Sequence, residues 1–280
     1  MGIVRRLSSP EFEGRATGTP GGLRARRFIE GQFRRIGLPP ARDSGFLQFF
    51  QLKPRPGLSA QTKEHGAEGA NVAGSVPGTD ANAPVIVVSA HYDHIGVVNG
   101  RLHAGADDNA SGVAVLLASA AHFAAHSPRH PMIFVAFDGE EIALAGSTAF
   151  MADPPVPASR MALNVNLDMV SRSDGREIFA AGASHTPRLR PVLEDVRRRA
   201  SVRLVLGHDG GTENGDDDWT DKSDHWPFHR AGVPFVYFGV EDHPDYHRPT
   251  DTADRIDTRF LGDVADMILE ALIAFDHALD

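Results

Sequence analysis

The sequence predicts an α/β fold: a single domain on a mixed, mostly parallel central sheet flanked by helices. Two observations carry this expectation. Short apolar runs rich in β-branched and aromatic residues alternate with longer stretches of helical periodicity, the order that packs helices over parallel strands. Several of those runs also end in carboxylates or histidines, which delivers charge to the sheet edge where open α/β proteins build their sites.

Taken in order, residues 23–36 read as a helix, because Leu23, Phe28, Phe33 and Ile36 recur at helical spacing with arginines between them. V-I-V-V-S at 85–89 reads as a buried strand, and 111–125 as an apolar helix behind a pair of aspartates. M-I-F-V-A-F at 132–137 is short and β-branched or aromatic, as a buried strand should be, and 147–152 follows as a helix. Strands are then expected at 162–167, 177–180, 203–206 and 235–238, with helices at 187–200 and 225–230. The last helix, 258–278, carries Phe260, Leu261, Val264, Met267, Ile268, Ala271 and Leu272 in one stripe, so it should pack on the sheet. Segment 53–68, with Pro54, Pro56, Gly57 and Gly66, reads as a loop or broken edge segment.

The 280 residues suit one large α/β domain or two small ones. No linker or internal repeat divides them, so one domain is expected over 1–280, with 1–40 as a helical segment packed on it. Apolar residues make up 41%, enough for a full core. The net charge of −9 argues against nucleic acid as the main partner. The absence of cysteine removes disulfides, thiolate metal sites and cysteine nucleophiles together. The longest apolar stretch, 112–125, is interrupted by His122 and too short to span a bilayer, so no membrane partner is expected. The start has no apolar run of signal-peptide length, which leaves a cytoplasmic protein, or a secreted or periplasmic one whose leader has been removed.

Glu140 and Glu141 stand side by side just after the 132–137 strand. Two buried carboxylates repel each other and are costly to desolvate unless a cation sits between them. The chain supplies partners for such a cation: His91 and Asp93 after one strand, Asp107 and Asp108 before a helix, Asp168 after another strand, and His247 near the end. Asp93 is placed to accept the proton on the far nitrogen of His91 and so fix its tautomer. Two divalent ions would be neutralised by Asp108, Glu141, Asp168 and a bridging hydroxide, which leaves Glu140 free as a general base.

The blocks H-Y-D-H, D-D-N-A-S-G, D-G-E-E-x-A-L-A-G-S, N-L-D-M-V, S-D-H-x-x-F and Y-H-R-P-T-D-T occur in that order between His91 and Thr252. L-S-S-P-E-F-E-G-R-A-T-G-T-P-G-G precedes them near the start, and N-V-A-G-S-V-P-G lies just before the first. This arrangement resembles the di-zinc aminopeptidases of metallopeptidase family twenty-eight, bacterial type, over nearly the whole chain. The resemblance implies a zinc-dependent exopeptidase (phosphorylase/hydrolase-like) fold and two Zn2+ ions, with Co2+ or Mn2+ as substitutes. Carried over residue by residue, it implies that His91 and Asp168 hold one ion, Glu141 and His247 the other, and Asp108 bridges them. Glu140 would be the general base for attack of a metal-bridging hydroxide on the peptide carbonyl, Asp93 would support His91, and Tyr246 would help stabilise the tetrahedral intermediate. The substrates implied are peptides with a free N-terminus. The chain departs from many members in Ala145, in the missing cysteines, and in having no protease-associated domain, since 53–68 is far too short for one.

Other groups carry two readings. His94 lines the pocket or satisfies a nearby carbonyl, Asp107 caps a helix or supports the site, Asp224 and His225 wall the pocket or do not, and Asp251 orients His247 unless it or Thr252 caps a helix. The acidic stretch 208–224 would attract a substrate ammonium, bind a structural Ca2+, or form a solvated loop. Among functions, a glutaminyl cyclase-like or amidohydrolase activity on the same fold competes with the aminopeptidase. A receptor that has lost its ligands does not fit, because none is missing.

Overall fold

The computed structural model of the protein describes residues 1–52, 68–210 and 217–279. The chain enters through α1 (Gly2–Leu7) and a 3₁₀ turn over Pro10–Arg15 into α2 (Pro20–Ile36). Local chemistry sets the limits of α2. The Thr19 hydroxyl accepts from Gly22 N–H, Pro20 fills the first turn, and Gly37 closes the helix at φ 88, a left-handed conformation. Then follow β1 (Leu47–Gln51), β2 (Glu68–Val76), β3 (Val85–His91), a small hairpin of β4 (Gly96–Val98) and β5 (Arg101–His103), and α3 (Gly112–Ala125). The remainder is β6 (Met132–Phe137), α4 (Ala145–Ala152), β7 (Met161–Leu167), β8 (Glu177–Ala181), α5 (Arg190–Arg199), β9 (Arg203–Leu206), α6 (Trp226–Arg230), β10 (Phe235–Gly239) and α7 (Thr258–Ala278).

Eight strands form one mixed sheet in the order β1-β2-β6-β3-β7-β10-β8-β9. Its centre is parallel: β3 pairs with β6 and β7, and β7 with β10. The flanks bring in antiparallel pairs, β1 with β2, β2 with β6, and β10 with β8. Every residue of β3, β6, β7 and β10 is buried, as it must be when helices cover both faces. On one face Ile86, Val88 and Phe134 pack with Leu116 of α3, and with Met267 and Ile268 of α7. On the other, Val87, Val135 and Phe137 meet Phe150 of α4 and Phe228 of α6. The same parallel centre lays the carboxyl ends of β6, β3 and β7 along one edge.

Most expected elements lie within two or three residues of their observed ends. The sequence reading assigned no element to β1, β2 or the β4–β5 hairpin, and covered α1 only within the helical segment 1–40. β1 is an edge strand with Phe49 53% exposed, so it shows no clean apolar alternation. The expected helix 187–200 is a 3₁₀ turn, Pro187–Leu189, that passes into α5. The expected loop at 53–68 lies outside the described residues except for Glu68, which begins β2.

Candidate metal centre

His91 is the last residue of β3, Asp168 directly follows β7, and Glu140 and Glu141 stand three and four residues beyond β6. Asp108 lies in the wide turn Ala106–Ser111 ahead of α3, and His247 in the loop between β10 and α7. Parallel neighbours release their last residues on the same edge, so the topology collects side chains separated by up to 156 positions in sequence, His91 to His247.

Their donor atoms fall into two groups that share Asp108. His91 Nε2 lies 3.1 Å from Asp168 Oδ1 and 3.3 Å from Asp108 Oδ1. His247 Nε2 lies 3.1 Å from Asp108 Oδ2 and 3.2 Å from Glu141 Oε2. Ligand bonds of about 2.0–2.1 Å in a tetrahedron separate donors by roughly 3.3 Å, so both groups have the spacing of zinc ligands with Asp108 offering one oxygen to each. Two nitrogens and four carboxylate oxygens are also the donor types that zinc accepts. A third histidine joins them. His94, Asp108 and Glu141 form a further set of donors within 4.8 Å of one another.

The charges gathered here shift the proton affinities of the donor groups. Burial alone would lower His91, but the Asp168 charge and hydrogen bonds with Asp108 and Asp168 outweigh it and hold the imidazole well above 6.5. At His247 burial is likewise overcome by the contacts with Asp108 and Glu141, which push it up to about 10. Glu140 is held well above 4.5, first by desolvation and then by the charges of Asp168, Glu141 and Asp224 against the opposing pull of His91.

The residues around the centre divide by what they touch. Asp93 lies beside His91: His91 Nδ1 is 3.2 Å from the Asp93 backbone carbonyl and 3.6 Å from its carboxylate, which helps raise the imidazole. That carboxylate also accepts from the backbone N–H of Glu140 at 3.1 Å and of Glu141 at 3.4 Å, and so orients the glutamate pair. Asp107 caps nothing. Its Oδ1 accepts from Ser171 N–H and hydroxyl, and its Oδ2 lies 3.2 Å from His243 Nε2. Asp251 neither orients His247 nor caps α7, which Asp257 caps. Its carboxylate accepts from Asp107 and Asp108 N–H and holds the turn that presents the bridging aspartate. Asp224 and His225 are fully buried behind the site rather than on its wall. Sequence reasoning passed over Arg15, which is fully buried and donates to the carbonyls of Leu7, Tyr92, Ala104 and Gly105. No periodicity marks a lone buried arginine.

A cavity of about 280 Å³ opens on His91, Asp108, Glu140 and Asp168. Met169, Trp219, Tyr237, Val240 and Tyr246 form its apolar walls, and the Tyr246 ring stacks on His247 at 3.9 Å. In the described part of the acidic stretch, Asp209 accepts from Gly182 and Ser184 N–H, and Asp217, at the cavity, accepts from Trp219 Nε1. Residues 211–216, to which the calcium reading also appealed, lie outside the described residues.

Comparison with known proteins places the chain. The model of peptidase family M28 matches residues 71–272. The aminopeptidase YwaD of Bacillus subtilis is 28% identical over 200 residues, 67% of this chain and 40% of that protein. A probable zinc metalloprotease of Pyricularia oryzae is 30% identical over 236 residues, 71% of this chain and 45% of that protein. The chain therefore spans less than half the length of these two relatives. An aminopeptidase structure from Aneurinibacillus sp. strain AM-1 superposes with a TM-score of 0.76 at 20% identity, covering 99% of this chain and 92% of that one, and shares its fold.

Proposed function

This chain belongs to peptidase family M28, and from that premise we propose that it is a two-zinc aminopeptidase, removing N-terminal residues from peptides. One observation carries the reading: two donor groups of tetrahedral spacing share Asp108, and Glu140 stands beside them in the cavity without belonging to either. His91 and Asp168 would hold one zinc, Glu141 and His247 the other, and Asp108 both. Zinc bound there supplies an acidified water and a Lewis acid for the scissile carbonyl.

The chain's own groups do the rest. Glu140 takes the proton of the attacking water and passes it to the leaving amine, a task suited to a carboxyl whose surroundings lift its pKa. The Asp93 carboxylate, by gripping the N–H groups of Glu140 and Glu141, keeps base and ligand in fixed relation. Tyr246 lines the cavity beside His247, where its hydroxyl can donate to the developing oxyanion. The acidic lining, including Asp217, Glu241 and Asp242, favours a substrate that enters with its free ammonium.

Hydrolysis of a panel of aminoacyl-nitroanilides, with chelator and with zinc restored, tests the reading. Chelator-sensitive release recovered by zinc supports it. Silence on every substrate with two zincs bound would move the assignment to a cyclase-like or amidohydrolase reaction.

A further inference from the structure

His94 is the one histidine at the centre that the five-ligand scheme leaves without a task. Its side chain is fully buried, and its Nδ1 lies 2.8 Å from Glu141 Oε1, a hydrogen bond rather than a ligand-to-ligand spacing. The other Glu141 oxygen, Oε2, is the one that faces His247. His94 Nε2 is buried without a hydrogen-bond partner among the described residues. A hydrogen on Nε2 would be buried and unpaired, so the geometry favours the tautomer in which Nδ1–H donates to Glu141 Oε1. The ring packs against Gly105, in space that only a residue without a Cβ leaves free. A Cβ built on Gly105 would fall 2.6 Å from His94 Cγ and Cδ2, and the Gly105 carbonyl is itself held by Arg15.

From this geometry we propose that His94 is a positioning residue for the second metal site: it occupies Glu141 Oε1 and leaves Oε2 alone for the ion. A carboxylate free to rotate can chelate through both oxygens. With one oxygen committed to an N–H, it presents a single donor, and a coordination position stays open for water and substrate. The inference rests on the two-metal reading above and adds a constraint to it.

The test is metal binding to the intact chain, read by competition with a chromophoric chelator and by the visible spectrum of the Co2+-loaded protein. His94→Phe fills the same space without a donor. It should weaken the second ion about 10- to 100-fold, leave the first ion at His91 and Asp168 unchanged, and alter the Co2+ spectrum of the second site. His94→Asn places an amide N–H near the position of Nδ1 and should restore most of the affinity. His94→Gln, whose amide reaches toward the position of Nε2, should not. Wild-type affinity and spectrum in the Phe variant, or equal recovery by Asn and Gln, would overturn the proposal while leaving the two-metal reading intact. X-ray absorption showing an additional imidazole on the metals would overturn it in favour of direct ligation by His94. A wild-type chain that binds fewer than two ions would refute the two-metal reading itself, and this inference with it.

Discussion

At Glu140, burial and three neighbouring carboxylates make the charged form costly, and no donor atom of either metal group belongs to it. Glu140→Gln should therefore keep both metals and lower kcat about 10²- to 10⁴-fold, read by metal analysis beside steady-state rates. Loss of zinc in that variant would assign Glu140 to the metal instead. At His91 and His247 the neighbouring carboxylates raise both imidazoles, the latter to about 10, whereas a metal ligand needs a bare nitrogen. Near neutral pH each site must release a proton to load, so apparent zinc affinity should rise about tenfold per pH unit per site until the imidazole pKa is passed. Calorimetric zinc titrations in buffers of differing ionisation enthalpy count those protons, and release near zero would contradict the electrostatics. Both histidines stood out in the sequence because histidine at a strand end or beside D-Y is rare and chemically specific. His94 stood in the same block, but only the fold shows that it faces Glu141 rather than a carbonyl.

Among the elements, the turn before α3 bears the heaviest constraint. Gly105 sits at φ 57, and a Cβ there would lie 2.3 Å from the Asp108 carbonyl. Asp251 clamps the turn through the N–H groups of Asp107 and Asp108, and Arg15 clamps its approach through the carbonyls of Ala104 and Gly105. Arg15 also holds Tyr92 O, between His91 and Asp93, so one buried guanidinium ties the N-terminal segment to two of the segments that carry ligands. Burial pushes that guanidinium down to about 10, and it stays charged at neutral pH. Arg15→Met would leave four carbonyls without their donor and remove a cation from an acidic centre. Urea denaturation should show a loss of about 3–5 kcal/mol. An unchanged midpoint would mean that water or other donors take over those carbonyls. The regular elements near the site were legible because strands buried on both faces are continuously apolar. β1 was not, since an edge strand has one exposed face and few residues to show a pattern.

Over the whole molecule, folding gathers carboxylates that an unfolded chain keeps apart. Asp138, just past β6, is 4% exposed and accepts from Thr17 hydroxyl, Tyr92 hydroxyl and Ala70 N–H. Burial, and then the charge of Asp93, push its carboxyl up to about 7 from 3.8. The folded state therefore holds this proton longer than the unfolded chain. Its stabilising contribution is complete below pH 4 and lost as pH rises through 7. Asp138→Asn should flatten that part of the profile and lose roughly 2–3 kcal/mol less than wild type between pH 5 and pH 8. Parallel urea midpoints at the two pH values would show it, and identical slopes would mean that Asp138 does not carry the shift.

The sequence by itself determined the fold class, the order of the central strands along the chain and the chemical types of the ligands. Those features are written in local periodicity and in rare residues at strand ends, and each is readable within a window of a few positions. The tertiary structure alone decided that Asp93 grips two backbone N–H groups, that Asp251 and Arg15 brace the ligand turn, and that His94 holds Glu141. Each of these is a hydrogen bond across at least 47 positions (77 for Arg15 to Tyr92, 144 for Asp251 to Asp107). Such a bond depends on where the parallel sheet sets its strand ends, and no local pattern records it.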